Sequence, residues 1–417
     1  MFHDLLRQFL PRPGRRRATA RTTVRSPWRV QQLEDRTVPA TIQFATGSGP
    51  GVVANQVNVF LSDGSEVSFN AFPGFNGGVR VATGDATGDG ITDVVVAAGP
   101  GGGPHVKIID GAALTTPGIT QAQIQALADH PLKQFFAYDA GFAGGVFVAV
   151  GDINGDGFKD VITGADAGGG PHVKVFNTAG INSIDPNHPG PLPFVLYSFF
   201  AYDPNFHGGV RVAAGNVGGD NGGPSHPGHP SDELITGAGP GGGPHVRVFS
   251  INLNDSTRLD GIGQFFAYTA AFTGGVYVGS GVVTNNFDEV GDPNETFPAF
   301  ADIITGAGPG GGPHVIVWRL DNGASTGFTF RPAASFFAYP AGFTGGVTVG
   351  TMVDSTHDNV VDFVTGAGPG GGPHVRKWLG QQLSDLTSPP QTYTPGQIGA
   401  PGFFAYDAKF TGGVYVG

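Results

Sequence analysis

Apolar and polar residues alternate with period two along most of the chain, in short runs broken by Gly, Pro, Asn and Asp. Residues 144–152 (GGVFVAVGD), 160–165 (DVITGA), 171–176 (PHVKVF) and 197–203 (YSFFAYD) are four such runs in succession. Period-two alternation puts one set of side chains on a single face, so each run predicts a short strand with one buried face. The intervening INGDGFK and DAGGG predict tight turns.

The same order of features returns. Gly-Gly-Val recurs at Gly77, Gly144, Gly208, Gly274, Gly345 and Gly412, at intervals of 67, 64, 66, 71 and 67 residues. A four-stranded unit cannot bury both faces of its sheet alone, and stacking on its neighbours does so. Repeated units of this kind predict an all-β propeller. Five units are complete, and the chain stops one strand into another, GGVYVG at 412–417. Near the other end, ATIQFATG (40–47), VNVFLSDG (57–64) and EVSFNAF (66–72) match the second, third and fourth strands of a unit. The expectation is a six-bladed propeller of four-stranded blades over residues 40–417, closed by N-terminal strands pairing with the C-terminal one. Such closure leaves no open sheet edge between blades. The period exceeds the ~40–50 residues of common propeller repeats. The excess lies between third and fourth strands, where GITQAQIQALAD (118–129) predicts a short helix.

Gly makes up 72 of 417 residues. Clustered between β-branched and aromatic runs, it supplies turns and not low complexity. The chain has no Cys, which excludes disulfides, thiolate metal sites and a Cys nucleophile. Net charge is −11 but uneven: residues 1–39 hold nine Arg against Asp4, Glu34 and Asp35, a net +6, leaving −17 for the body. An acidic body argues against nucleic-acid binding, whose phosphate contacts need Lys and Arg, and suits divalent cations. No run reaches the ~18 apolar residues of a membrane span.

Residues 1–39 read as a basic targeting or disordered segment. They lack the ~7–15-residue apolar stretch of an orthodox secretory signal, since Pro11 interrupts Phe9-Leu10 at once. Leu33-Glu34-Asp35-Arg36 resembles the Leu-Glu-x-Arg motif near the start of many planctomycete extracellular proteins. That resemblance implies a planctomycete source and export to the cell surface or beyond, by an atypical signal.

Candidate chemistry sits in one turn. In the second unit Asp152, Asn154, Asp156 and Asp160 occupy loop positions 1, 3, 5 and 9, with Gly157 at 6 and the Phe158 carbonyl at 7. This spacing turns oxygen donors toward one centre, and Gly permits the sharp bend. All-oxygen donors with three carboxylates point to Ca²⁺, on the order of 10⁻⁴–10⁻³ M in affinity as for extracellular modules. The first unit repeats the pattern with Asp85, Thr87, Asp89, Ile91 and Asp93, and the fifth with Asp354, Thr356, Asp358, Val360 and Asp362. In the third unit Asn216, Gly218 and Asp220 open the loop, and an insertion precedes Asp232. The fourth keeps only Asp302 after a longer insertion. Turn preference alone also places Asp and Asn at such positions, but three copies at one phase of the repeat favour ion sites that brace the fold.

The stretch GDINGDGFKDVITGA (151–165) resembles the FG-GAP repeat of integrin α-subunits and bacterial relatives. The resemblance spans about residues 40–417. It implies a propeller used in adhesion or ligand binding, with calcium in the loop that joins the innermost strand to the second.

Loops joining first to second and third to fourth strands share one face; the remaining connections share the other. The second face carries Gly-Pro-Gly-Gly-Gly-Pro-His turns ending in His105, His245, His314 and His374, with a variant ending in His172. The expectation is that these His are repeated structural parts, too far apart for one metal ion. Insertions on the first face point to ligand there, whereas the integrin resemblance implies the opposite face; both stay open. The favoured function is a non-catalytic extracellular or cell-surface calcium-binding module, monomeric, for a protein or polysaccharide ligand. The alternatives are one domain of a larger surface protein, or a propeller enzyme of polysaccharide lyase or phosphoester hydrolase type. Candidates for the enzyme are the non-repeated His207, His226, His229, Asp232, Asp288, Glu289, Asp292 and Glu295.

Overall fold

The computed structural model describes residues 40–51, 55–178, 194–218, 231–252, 255–284, 300–321, 328–352, 360–380, 383, 391–393 and 402–417. The basic segment 1–39 and most of the third- and fourth-unit insertions lie outside these residues.

Six sheets follow one another around an axis, the four repeat strands of each antiparallel and in the order first to fourth. The second blade is typical: Val146–Gly151, Asp160–Ala165, His172–Asn177 and Phe194–Phe200. The sixth blade joins the C-terminal strand Val414–Val416 to Ile42–Ser48, Gln56–Leu61 and Glu66–Asn70. Ala45 and Gly417 exchange backbone hydrogen bonds of 2.8 and 3.2 Å. The ring therefore closes as expected from the sequence.

The fourth blade departs from the four-strand expectation. Gln391–Tyr393, from the long segment of the fifth unit, adds to Phe330–Phe337 in parallel register. The expected helix forms over Gln121–Asp129, where Thr120 and Gln123 make a capping box. It lies along the outer strand of the sixth blade, where Gln125 accepts from Asn70 N (2.9 Å) and donates to Asn70 O (3.0 Å). The helix thereby satisfies backbone groups of an edge strand.

The apolar cores lie between blades. Ile162, Val175 and Tyr197 of the second blade pack with Val210, Val212, Leu234 and Phe249 of the third. Each such burial stabilises by about 1.5–3 kcal/mol. The FFAY run shows how alternation builds the joint. Its first Phe packs on an aromatic ring of the next blade, as in Phe199–Phe249 (5.0 Å) and Phe336–Trp378 (4.4 Å). Its second Phe points out.

Hydrogen bonds join the blades along the face of the Gly-rich turns. The Tyr202 hydroxyl donates to the carbonyls of Thr236 (3.0 Å) and His245 (2.9 Å) in the next blade. Tyr138, Tyr268 and Tyr339 repeat this bridge. Between the sixth and first blades Phe72 and Val96 stand in place of the Tyr and Thr, so both side-chain polar groups are lost together. In the Gly-rich turns, Gly168 N, Gly241 N and Gly310 N donate to His207, Thr273 and Thr344 just before the next Gly-Gly-Val. The second Gly of that motif has positive φ, and at Gly145 a Cβ would meet Gly99 C at 2.6 Å. Only Gly meets both demands without strain.

Candidate functional site

The two complete Asp-rich loops are built alike. Asp152 accepts from Gly155 N (2.8 Å), Asp156 N (3.1 Å) and Gly157 N (2.9 Å). Asp85 accepts from Gly88 N (2.6 Å), Asp89 N (3.1 Å) and Gly90 N (2.8 Å). The fifth residue of each loop accepts from the seventh: Asp156 from Phe158 N and Asp89 from Ile91 N. The loops are thus shaped by their own amides, through carboxylates at positions 1 and 5.

Position 9 distinguishes them. Asp93 and Asp160 are both fully buried at the start of their second strands, opposite Gly84 and Gly151. Asp93 uses both oxygens, accepting from Thr87 N (2.9 Å) and Gly111 N (2.9 Å). Asp160 accepts from Ile153 N (3.1 Å) through Oδ2, while its buried Oδ1 has no hydrogen-bond partner among the described residues. Burial pushes Asp93 up to about 6. It pushes Asp160 up to about 8, with the negative Asp156 and Asp152 adding to the shift. Burial also raises Asp152.

A buried carboxylate oxygen without a donor, beside two further carboxylates, fits a hard cation in donor type and charge. The side chains are not gathered on one point: among the described residues no group of three or more His, Asp or Glu is placed to hold a metal ion. In the fifth unit Asp354, Thr356 and Asp358 lie outside the described residues, while Val360 and Asp362 are buried.

In the third blade, register places Glu233 at position 9, paired with Gly215 as Asp160 is with Gly151. Its Oε2 accepts from Val217 N (2.8 Å). Asp232 directly follows the insertion in the sequence, but it is not the residue equivalent to Asp160. Counting back from the shared Thr-Gly-Ala finds Glu233 instead. Asp232 serves the neighbouring loop: its Oδ2 accepts from Asp152 N (2.9 Å) and pairs with Lys159 (2.8 Å). Of the other enzyme candidates, His207 contributes its carbonyl to Gly168 N (2.9 Å). His226, His229, Asp288, Glu289, Asp292 and Glu295 lie outside the described residues.

On the opposite face, five His open the third strands and pair with the last Phe of the fourth. The ring centroids are 5.3 Å apart for His105–Phe136, 5.0 Å for His172–Phe200, 4.9 Å for His245–Phe266, 5.0 Å for His314–Phe337 and 5.2 Å for His374–Phe404. Ser198 Oγ meets His172 Nε2 at 2.9 Å and Gln264 Oε1 meets His245 Nε2 at 3.2 Å. Burial lowers the pKa of all five. Phe136, Phe200, Phe266 and Phe404 are left 48–57% exposed. Sequence reading missed this series, although FFAY at period two already sends the second Phe outward. The sixth blade interrupts it, with Gln56 opposite Asn70.

Residues 144–180, which carry the second Asp-rich loop, match the model of the FG-GAP repeat. No curated protein matches the chain. Among solved structures it is similar to rhamnogalacturonan lyase YesW, at 11% identity and a TM-score of 0.32, over 79% of this chain and 65% of that one. It is similar to the exotype rhamnogalacturonan lyase YesX at 11% and 0.35, over 78% and 58%. A putative 6-phosphogluconolactonase from Bacteroides fragilis gives 12% and 0.39, over 83% and 93%. The chain thus spans less than two thirds of either lyase. Likenesses this loose carry no argument about activity. The family finding is that a propeller of six blades holds one segment matching the FG-GAP repeat.

Proposed function

We propose that this protein is a non-catalytic extracellular propeller that binds a neutral polysaccharide on the face of its Gly-rich turns and is braced by calcium on the other. The observation that carries the reading is the series of half-exposed Phe rings at one phase of the first, second, third and fifth blades. An aromatic face flanked by His, Gln and Ser offers an apolar platform with polar groups beside it, the usual make-up of a small-molecule contact. Repetition suits a repeating polymer, because weak equivalent contacts add as avidity. The charge of −17 on residues 40–417 disfavours polyanions.

Calcium would be held by Asp152, Asn154, Asp156, the Phe158 carbonyl and Asp160, and at the first loop by Asp85, Thr87, Asp89, the Ile91 carbonyl and Asp93. It would neutralise buried carboxylates and tie the first strand to the second. Gel retardation in neutral and anionic polysaccharides tests the ligand. Retardation by a neutral polymer should vanish when Phe136, Phe200, Phe266 and Phe404 are all changed to Ser. Equal retardation of that variant, or none of the parent protein, would refute the reading. Heat unfolding with calcium and with chelator tests the ion: the midpoint should rise with calcium, and Asp152→Ala with Asp160→Asn should remove the rise.

A further inference from the structure

The second residue of each innermost strand after Gly-Gly points to the axis, and around the ring these read Arg80, Phe147, Arg211, Tyr277, Thr348 and Tyr415. Together they line one cavity. The Arg80 guanidinium lies between the rings of Tyr415 (4.7 Å) and Phe147 (4.9 Å), and that of Arg211 between Tyr277 (4.8 Å) and Phe147 (5.4 Å). Aromatic rings satisfy the faces of a guanidinium but not the N–H groups along its edge.

Both arginines are buried, at 4% and 5% exposure. Arg80 has a carboxylate partner, Asp166 Oδ2 at 2.6 Å. Asp166 stands where the other blades carry Gly, so that partner is particular to this blade. Among the described residues Arg211 has none: it donates to the Ala238 carbonyl (3.2 Å), and its Nε is without a partner, as are Arg80 Nε and Nη1. All six ring residues line a cavity of about 50 Å³. A buried charge without a counter-charge is costly, and an arginine does not shed its proton to escape the cost.

We propose that this cavity binds a small monovalent inorganic anion of chloride size, held by Arg211 with Arg80. The volume exceeds the ~10–15 Å³ of probe-occupied space that one water needs and admits one such ion. The anion supplies to Arg211 what Asp166 supplies to Arg80. This site is independent of the calcium loops and of the Phe series.

The test is heat unfolding of the full chain at constant ionic strength, with gluconate replaced stepwise by chloride or bromide. The midpoint should rise and saturate. In Arg211→Met the halide-specific rise should disappear. In Asp166→Asn, which removes the competing carboxylate, it should grow. Anomalous scattering from crystals grown in bromide should give a peak beside Arg211 and none in Arg211→Met. A parent midpoint indifferent to halide, a rise unchanged in Arg211→Met, or a cavity holding water alone in the bromide crystals would overturn the proposal.

Discussion

At the scale of single residues, the repeat contains its own controls. Four blade junctions use a Tyr hydroxyl on a Thr and a His carbonyl, and the sixth-to-first junction has Phe72 and Val96 instead. Tyr202→Phe strips a donor from buried acceptors and should cost about 1–3 kcal/mol. Adding Thr236→Val, to copy the Phe72–Val96 junction, should recover part of that cost. A double-mutant cycle on unfolding free energy would show a coupling of about 0.5–3 kcal/mol, and strict additivity would count against the bridge. The Asp-rich loops offer a second contrast. Asp93 spends both oxygens on amides and Asp160 spends one. Calcium stabilisation should therefore fall further in Asp160→Asn than in Asp93→Asn, measured as the midpoint shift against chelator. Positions 1, 3, 5 and 9 of both loops were legible in the sequence, because donor spacing is local. Glu233 was not, since an insertion moved the count and only pairing with Gly215 restores it. Arg80 and Arg211 gave no local signal: they meet aromatic partners from adjacent blades, and only the axis brings those together.

At the scale of elements, period two gave the strands and Gly-Gly-Val gave the number of blades. The parallel strand Gln391–Tyr393 escaped because it has three residues and pairs with a different blade from the one that follows it. The helix Gln121–Asp129 was legible from its composition, but its role as cover for Glu66–Asn70 was not. Ala126→Pro should break the helix, at about 3 kcal/mol for Pro in a helix interior. Hydrogen exchange should then quicken at Asn70, whose N–H is held by Gln125. Unchanged protection there would mean that the strand does not need its cover.

At the scale of the whole molecule, repetition multiplies small effects. The five His of the Gly-rich face have pKa values lowered by burial from 6.5. Below that value the unfolded chain takes up protons that the folded one resists. Their contribution is complete above pH 6.5 and is lost as pH falls through the lowered values. Asp93 and Asp160 act with the opposite sign: their contribution is present below 3.8 and is lost as pH rises through about 6 and about 8. Replacing all five His by Gln should flatten the acid limb of stability below pH 6.5, read as the unfolding midpoint against pH. An acid limb as steep as the parent's would refute the assignment.

The meeting of Ala45 and Gly417 has a consequence for connectivity. In every other blade, the first strand runs on into the second through a loop such as 85–92. In the sixth, the first strand follows the other three in the sequence, and hydrogen bonds alone join it to the second. In a chain trimmed to residues 40–417, a linker of similar length from Gly417 to Ala40 would give a ring with no privileged beginning. New ends could then be opened in the equivalent loop of any blade, and each circular permutant should fold to the same ring.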